Sequence, residues 1–173
     1  MSDKLLAHCR CGAVVAAAIG KPIIANVCYC ADCQAAARIE APPLSGAIET
    51  TADGGTECLI FRKDRFAVTK GAERLQAARL KQDASTRRMI ATCCNSGMYM
   101  AFDDAKPWVS VFRARFVGEV PPVEMRICTK YRRFPEKLDD RLPNHPGYPA
   151  KMMLRILTAW IAMVFTPKCT TPP

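Results

Sequence analysis

The chain has 173 residues, half of them hydrophobic, with a formal net charge of +9; this allows one domain with a real core and leaves little room for a second. Charged residues make up 24% and no long low-complexity stretch occurs, which excludes a disordered or fibrous chain and leaves a soluble globular class as the expectation. The opening Met1-Ser2-Asp3-Lys4 leads into no apolar core with a cleavage site, so a reducing, cytoplasmic setting is expected, where ten cysteines serve metal binding or packing rather than a disulfide framework.

Taken in order, Cys9-Arg10-Cys11-Gly12 turns into the apolar run Ala13 to Ile19, which stops at Gly20-Lys21-Pro22. Alanine suits a helix, but a Cys-x-Cys-Gly turn and a Gly/Pro stop also fit a buried strand. A knuckle around a metal often needs positive φ, which Gly12 supplies. Ile23 to Val27 is expected to be a short strand that delivers Cys28, and Gln34 to Arg38 a helical turn followed by a loop through Pro42-Pro43 and Gly54-Gly55.

Cys58 to Phe61 and Arg65 to Thr69 read as strands with a break at Lys70-Gly71. Ala72 to Leu80 consists of good helix formers, yet it is short for a helix, and the strand expected over Arg87 to Thr92, after a polar turn at Lys81 to Thr86, needs a hairpin partner. Pro107 to Val120 is strand-like, with Trp108, Val109, Val111, Phe112, Phe116 and Val117 as core candidates. Pro135, Pro143, Pro146 and Pro149 forbid long regular elements between 128 and 149. Lys151 to Phe165 is apolar except for a stripe of Lys151, Arg155 and Thr158; it reads as a packed C-terminal helix, or as a membrane-surface or dimer helix, and is too short for a bilayer span.

The densest chemistry is Cys28-Tyr29-Cys30-Ala31-Asp32-Cys33. Three thiolates spaced C-x-C-x-x-C can converge on one ion, and three sulfur ligands leave a tetrahedral zinc with an open fourth position. Buried unreactive thiols are the alternative, against which the polar Asp32 and Gln34 argue. Iron–sulfur ligation needs a fourth soft ligand nearby and different spacing. Cys9, Cys11 and Cys93 form a second candidate zinc set, closing a structural site across the two halves of the chain. Its fourth ligand is open: Cys94 adjoins Cys93, so both reach one metal only if the backbone bends, and the hydroxyl of Ser96 is a poor ligand.

Cys58, Cys128 and Cys169 lack cysteine or histidine at ligand spacing and read as packing or free thiols. His8 is a neighbouring or alternative ligand or an exposed loop residue, and His145, between prolines, is expected to face solvent. Turn chemistry accounts for Asp103-Asp104 and Asp139-Asp140. No Ser-His-Asp spacing, phosphate-cradling glycine loop or nucleic-acid motif occurs. Each zinc with three or four thiolates carries roughly −1 or −2, which lowers the net charge to about +5 to +7. The chain stays basic and favours anionic partners, a carboxylate-bearing substrate or nucleic acid.

Assembled, these residues resemble the glutathione-dependent formaldehyde-activating family, which also contains centromere protein V. The resemblance rests on Cys9 to Gly12, Cys28 to Cys33, Val68-Thr69-Lys70-Gly71 and the arginine-led strand into Cys93, and covers roughly residues 5–120. It implies a mainly β fold of small twisted antiparallel sheets with short helices, residues 121–173 forming a loop-rich extension and C-terminal helix packed on the same domain, and it tips Leu75 to Leu80 toward strand. It also implies that Cys9, Cys11 and Cys93 match structural-zinc ligands and that Cys28, Cys30 and Cys33 match a catalytic zinc.

The implied reaction is addition of the glutathione thiol to formaldehyde, formally a carbon–sulfur lyase in reverse. Lys70, Arg79 and Arg87 are candidates for the peptide carboxylates. The chain departs from the family at Cys93-Cys94-Asn95-Ser96-Gly97, where C-x-x-C-G is usual, at Tyr29, where histidine is common, and at Ala35-Ala36-Ala37-Arg38, where small Ser/Gly residues are expected. A non-catalytic zinc domain binding an acidic partner or nucleic acid is the second expectation.

Overall fold

Cys58-Leu59-Ile60-Phe61 is apolar at every position because both of its faces are covered. In the computed structural model, which describes residues 4–133 and 141–165, it forms the heart of a strand, Thr56–Arg62, at the centre of a two-sheet fold. The expectations for Pro135, Asp139-Asp140 and Cys169 lie outside the described residues.

The strands are β1 (Lys4–His8), β2 (Val15–Ile19), β3 (Ile24–Cys28), β4 (Thr56–Arg62), β5 (Phe66–Lys70), β6 (Leu75–Ala78), β7 (Thr86–Ala91), β8 (Ser96–Phe102), β9 (Trp108–Phe112), β10 (Phe116–Val117) and β11 (Met125–Ile127), with helices α1 (Ala31–Arg38) and α2 (Ala150–Phe165). A four-stranded sheet runs β10-β1-β2-β5 and a seven-stranded sheet runs β11-β3-β4-β9-β8-β7-β6. The fold is mainly β with short helices and a C-terminal helix. Its pairings are antiparallel except that of β11 with β3, which is parallel and sets Ile127 opposite Cys28.

Alternation along β4 divides the core. Leu59 and Phe61 point toward the small sheet, where Ala7, Ala16 and Ala18 meet them together with Val109 and Val111. Cys58 packs with Ile90, Met100 and Phe112, and Ile60 with Ile24, Met125 and Ile127 beneath α2. Leu59 is 0% exposed; we expect Leu59→Ala to cost about 2–5 kcal/mol, read as a lower denaturant midpoint at unchanged slope.

Tertiary pairing decides both ambiguous segments in favour of strand. The alanine-rich β2 lies between β1 and β5, and five residues are too few for a stable helix. In 72–80, a 3-10 turn over Ala72–Arg74 leads into β6, which pairs with β7 from Leu75↔Ala91 to Ala78↔Arg88. Gly71, at φ +71, is required there because a Cβ would stand 2.3 Å from the Ala13 carbonyl oxygen.

One expectation is corrected. Val117, a core candidate, is 58% exposed on the short edge strand β10, whereas Val109, Val111 and Phe112 are buried. Only Met152 and Ile156 of α2 are buried, while Leu154, Leu157, Trp160, Ile161, Val164 and Phe165 are exposed. The helix is thus packed along one narrow line, braced by Arg155, whose Nη1 lies 2.5 Å from Glu124 Oε2. No helix among the described residues is long and apolar enough to cross a membrane.

Candidate metal centres

The first centre joins two turns distant in sequence. Cys9 and Cys11 sit in the knuckle between β1 and β2, with Gly12 at φ +72; Cys93 and Cys94 sit in the tight turn between β7 and β8. Their four sulfur atoms lie within 4.8 Å of one another. Cys9 Sγ is 3.6 Å from Cys11 Sγ and 3.8 Å from Cys93 Sγ, Cys11 Sγ is 3.4 Å from Cys93 Sγ, and Cys93 Sγ is 3.9 Å from Cys94 Sγ. A tetrahedral ion with metal–sulfur bonds of about 2.3 Å sets neighbouring sulfurs about 3.8 Å apart, so these four residues fit a metal ion.

The bend that would let Cys94 join Cys93 is present: Asn95 takes the left-handed conformation at φ 52, reversing the chain within the turn. Ser96 has a different task. It is fully buried, its Oγ accepts from Arg10 N at 3.1 Å and Arg10 Nε at 3.2 Å, and it lies 3.1 Å from Cys94 Sγ. Although burial opposes ionisation, the contacts of Ser96 and Cys11 with Cys94 bring its thiol down to about 6. The Val14 amide donates to Cys9 Sγ at 3.2 Å, an N–H···S contact that favours thiolate. His8 has no place in the cluster; its Nε2 is buried without a hydrogen-bond partner.

The second centre is built from one short stretch. Cys28 ends β3, Cys30 is the N-cap of α1 and Cys33 lies in its first turn, and their sulfurs stand within 4.8 Å of one another. Cys30 Sγ accepts from the Cys33 amide at 3.4 Å, at a helix end that favours negative charge. Hydrogen bonds from Cys28 and then Cys33, with the Cys33 and Asp32 amides, hold the Cys30 thiol down to about 3. Cys28 is pushed well above its ordinary value, first by its hydrogen bond to Cys128 and then by those to Cys30 and Cys33. A bound cation displaces such shared protons.

Tyr29, between the first two of these cysteines, turns away from them. Its ring is buried and its hydroxyl donates to Asp53 Oδ2 at 2.6 Å, while Gln34 Nε2 donates to the Tyr29 carbonyl at 2.6 Å. Tyr29 therefore fastens the 51–55 loop to the start of α1.

Cys28, Cys30 and Cys33 line a cavity of about 350 Å³ between the larger sheet and α2. Lys70, Arg79 and Arg87, the cations considered from sequence, do not line it. Arg79 Nη2 and Arg87 Nε lie 2.5 Å and 2.6 Å from the Asp103 carboxylate, which thereby has partners the sequence did not reveal, and Lys70 Nζ reaches the Gly12 carbonyl. Two cations do line it, Lys106 and Arg88, of which Arg88 is 2% exposed. Its Nη2 donates to the Asp32 carbonyl at 3.0 Å, it has no carboxylate partner among the described residues, and its charge acts on Cys33 and Cys58.

Cys128 is the other residue hidden from sequence reading. It is buried at the end of β11 with φ 58 and hydrogen-bonds Cys28, which with Tyr148 brings its thiol down to about 7. Its sulfur lies outside the group that meets at a common centre. We therefore expect Cys128→Ser to keep the full metal content of the native protein by elemental analysis; loss of one equivalent would place Cys128 inside the coordination sphere.

Fold and sites together define a mainly β protein with two separate cysteine clusters able to hold metal ions. The chain belongs to the DUF6151 family, described as a family of unknown function, whose profile matches residues 1–160. Among solved structures it is similar to a Rhodobacter sphaeroides protein determined by crystallography, with a TM-score of 0.48 and 17% identity over 67% of this chain and 91% of that one. No curated protein matches the chain.

Proposed function

We propose that the protein is a zinc-dependent enzyme of the carbon–sulfur lyase type, joining a small thiol to an aldehyde such as formaldehyde or reversing that addition. The observation that carries the reading is a cluster of three cysteines opening onto a cavity, while a second cluster of four is a turn-to-turn clasp. The sulfur separations of the clasp match zinc–thiolate geometry, and the resemblance to the glutathione-dependent formaldehyde-activating family points to the same chemistry, with glutathione as the thiol it implies. The chemistry also suits a reducing, cytoplasmic compartment.

In this reading Cys9, Cys11, Cys93 and Cys94 hold a structural zinc, and Cys28, Cys30 and Cys33 hold a second one. When bound at the three-cysteine centre, zinc supplies a Lewis acid that can hold a thiolate or polarise an aldehyde oxygen. In the reaction the thiol sulfur bonds to the carbonyl carbon, the C=O π pair moves to oxygen, and that oxygen takes up the proton the thiol gives up. The chain's own residues set the stage. Cys30 presents a thiolate from the N-terminal end of α1, and buried Arg88 offsets the negative charge of three thiolates around a divalent ion.

The test is formation of the S-hydroxymethyl thiol from formaldehyde and thiol by zinc-loaded protein, followed by NMR. A rate no faster than the uncatalysed addition would sink the reading and leave the alternative, a zinc domain for an acidic partner.

A further inference from the structure

The cavity over Cys28, Cys30 and Cys33 is far less polar than a peptide thiol requires. Its apolar walls are Met100 and Phe102 from β8, Trp108 from β9, Ile127 from β11, and Met153 and Ile156 from α2, and its uncharged polar side chains are Asn26, Thr86, Ser110 and Tyr148. The charged side chains in the lining are Asp32, Arg88 and Lys106. Arg88 is held by the Asp32 carbonyl at the start of α1. Lys106 is paired with Asp104 and its Nζ lies 5.1 Å from the centroid of the Phe102 ring. Glutathione carries two carboxylates and an ammonium, and burying such groups without partners is costly. The volume, about 350 Å³, is at the small end for ligand sites, roughly a dozen waters at about 30 Å³ each.

We propose that the guest of the three-cysteine centre is a small thiol with an uncharged apolar body, its sulfur at the cluster and its chain along the wall formed by Trp108, Phe102 and α2, rather than a multiply charged peptide thiol. This rests on the reading of the centre as an open metal site, and it assigns α2 a purpose its packing alone does not explain. Although most of its apolar side chains face outward, Met152, Met153 and Ile156 close one side of the cavity.

The test uses full-length protein loaded with cobalt(II) in place of zinc and titrated with ethane-1-thiol, butane-1-thiol, hexane-1-thiol and glutathione. The cobalt absorption reports sulfur joining the metal, and Trp108 fluorescence reports filling of the cavity. Affinity is expected to rise about fourfold per methylene along the alkyl series, with glutathione weaker than hexane-1-thiol. A flat series, or glutathione binding as tightly as hexane-1-thiol, overturns the inference while leaving the open metal site standing. If no thiol alters the cobalt spectrum, the open site itself is wrong and the inference falls with it. Met153→Glu, which places a charge on the wall at a half-exposed position, is expected to weaken hexane-1-thiol about tenfold at unchanged cobalt content; equal hexane-1-thiol affinity in this variant also overturns the inference.

Discussion

Cys30→Ser is expected to leave a folded protein that has lost one equivalent of metal and adds thiol to aldehyde no faster than buffer does. The substitution is chosen for what it spares. Cys30 is the N-cap of α1 and accepts the Cys33 amide, a role serine fills at least as well, so the helix keeps its start. Metal ligation is another matter, because a hydroxyl is a poor ligand for an ion that thiolate binds strongly. Elemental analysis with circular dichroism separates the two effects: unchanged secondary structure with full metal content would remove Cys30 from the centre. Retained activity after loss of the metal would move the chemistry elsewhere.

Cys9→Ser is expected to unfold the protein at room temperature, as is stripping the metal with a strong chelator. Cys9 is buried, its sulfur touches both Cys11 and Cys93, and it takes the Val14 amide. The clasp fixes the β1–β2 knuckle of the small sheet to the β7–β8 turn of the large one. Closed thiolate sites contribute on the order of 10 kcal/mol of binding free energy coupled to folding, comparable with the whole stability of a domain, about 5–15 kcal/mol. Around this clasp the core is thin: Val14, Ala91 and Met98 are the buried side chains beside Cys9. A melting temperature within a few degrees of the native protein's would show that packing, not metal, joins the sheets here.

The two variants differ because the centres are built differently. C-x-C-x-x-C is local: a strand end, a helix cap and a first helical turn bring three sulfurs together whatever the rest of the chain does, so it is legible from the sequence. The clasp is half legible. C-x-C-G announces a knuckle, and Cys93 follows an arginine-led strand, but membership of Cys94 depends on a reversal at Asn95 that alternation along an extended strand would forbid. Ser96, a poor ligand at the C-x-x-C spacing, is the acceptor that anchors Arg10.

Strand assignments followed the same division. Apolar runs buried on both faces, such as Cys58 to Phe61, stand out in the sequence. Ala72 to Leu80 does not, because its residues favour helix and only the ladder to β7 overrides them. The half-buried β8, with Tyr99 and Ala101 alternating against buried Met98 and Met100, follows the cysteine turn so closely that the turn masks it.

By itself, then, the sequence determined several short apolar strands, one tight sulfur cluster and the beginnings of another, since those features arise from contacts a few residues long; the mainly β fold was an expectation from the resemblance. Three things were decided only by tertiary structure. The parallel docking of β11 beside β3 carries Cys128 to Cys28; the alternation of β7 turns Arg88 into the cavity and Arg87 toward Asp103; and α2 lies over the cluster as an apolar wall. Apart from the Arg87–Asp103 pair, these contacts join residues more than fifty positions apart, and no local pattern records such distances, because strand order and sheet-face direction are set by how the whole apolar surface is buried at once.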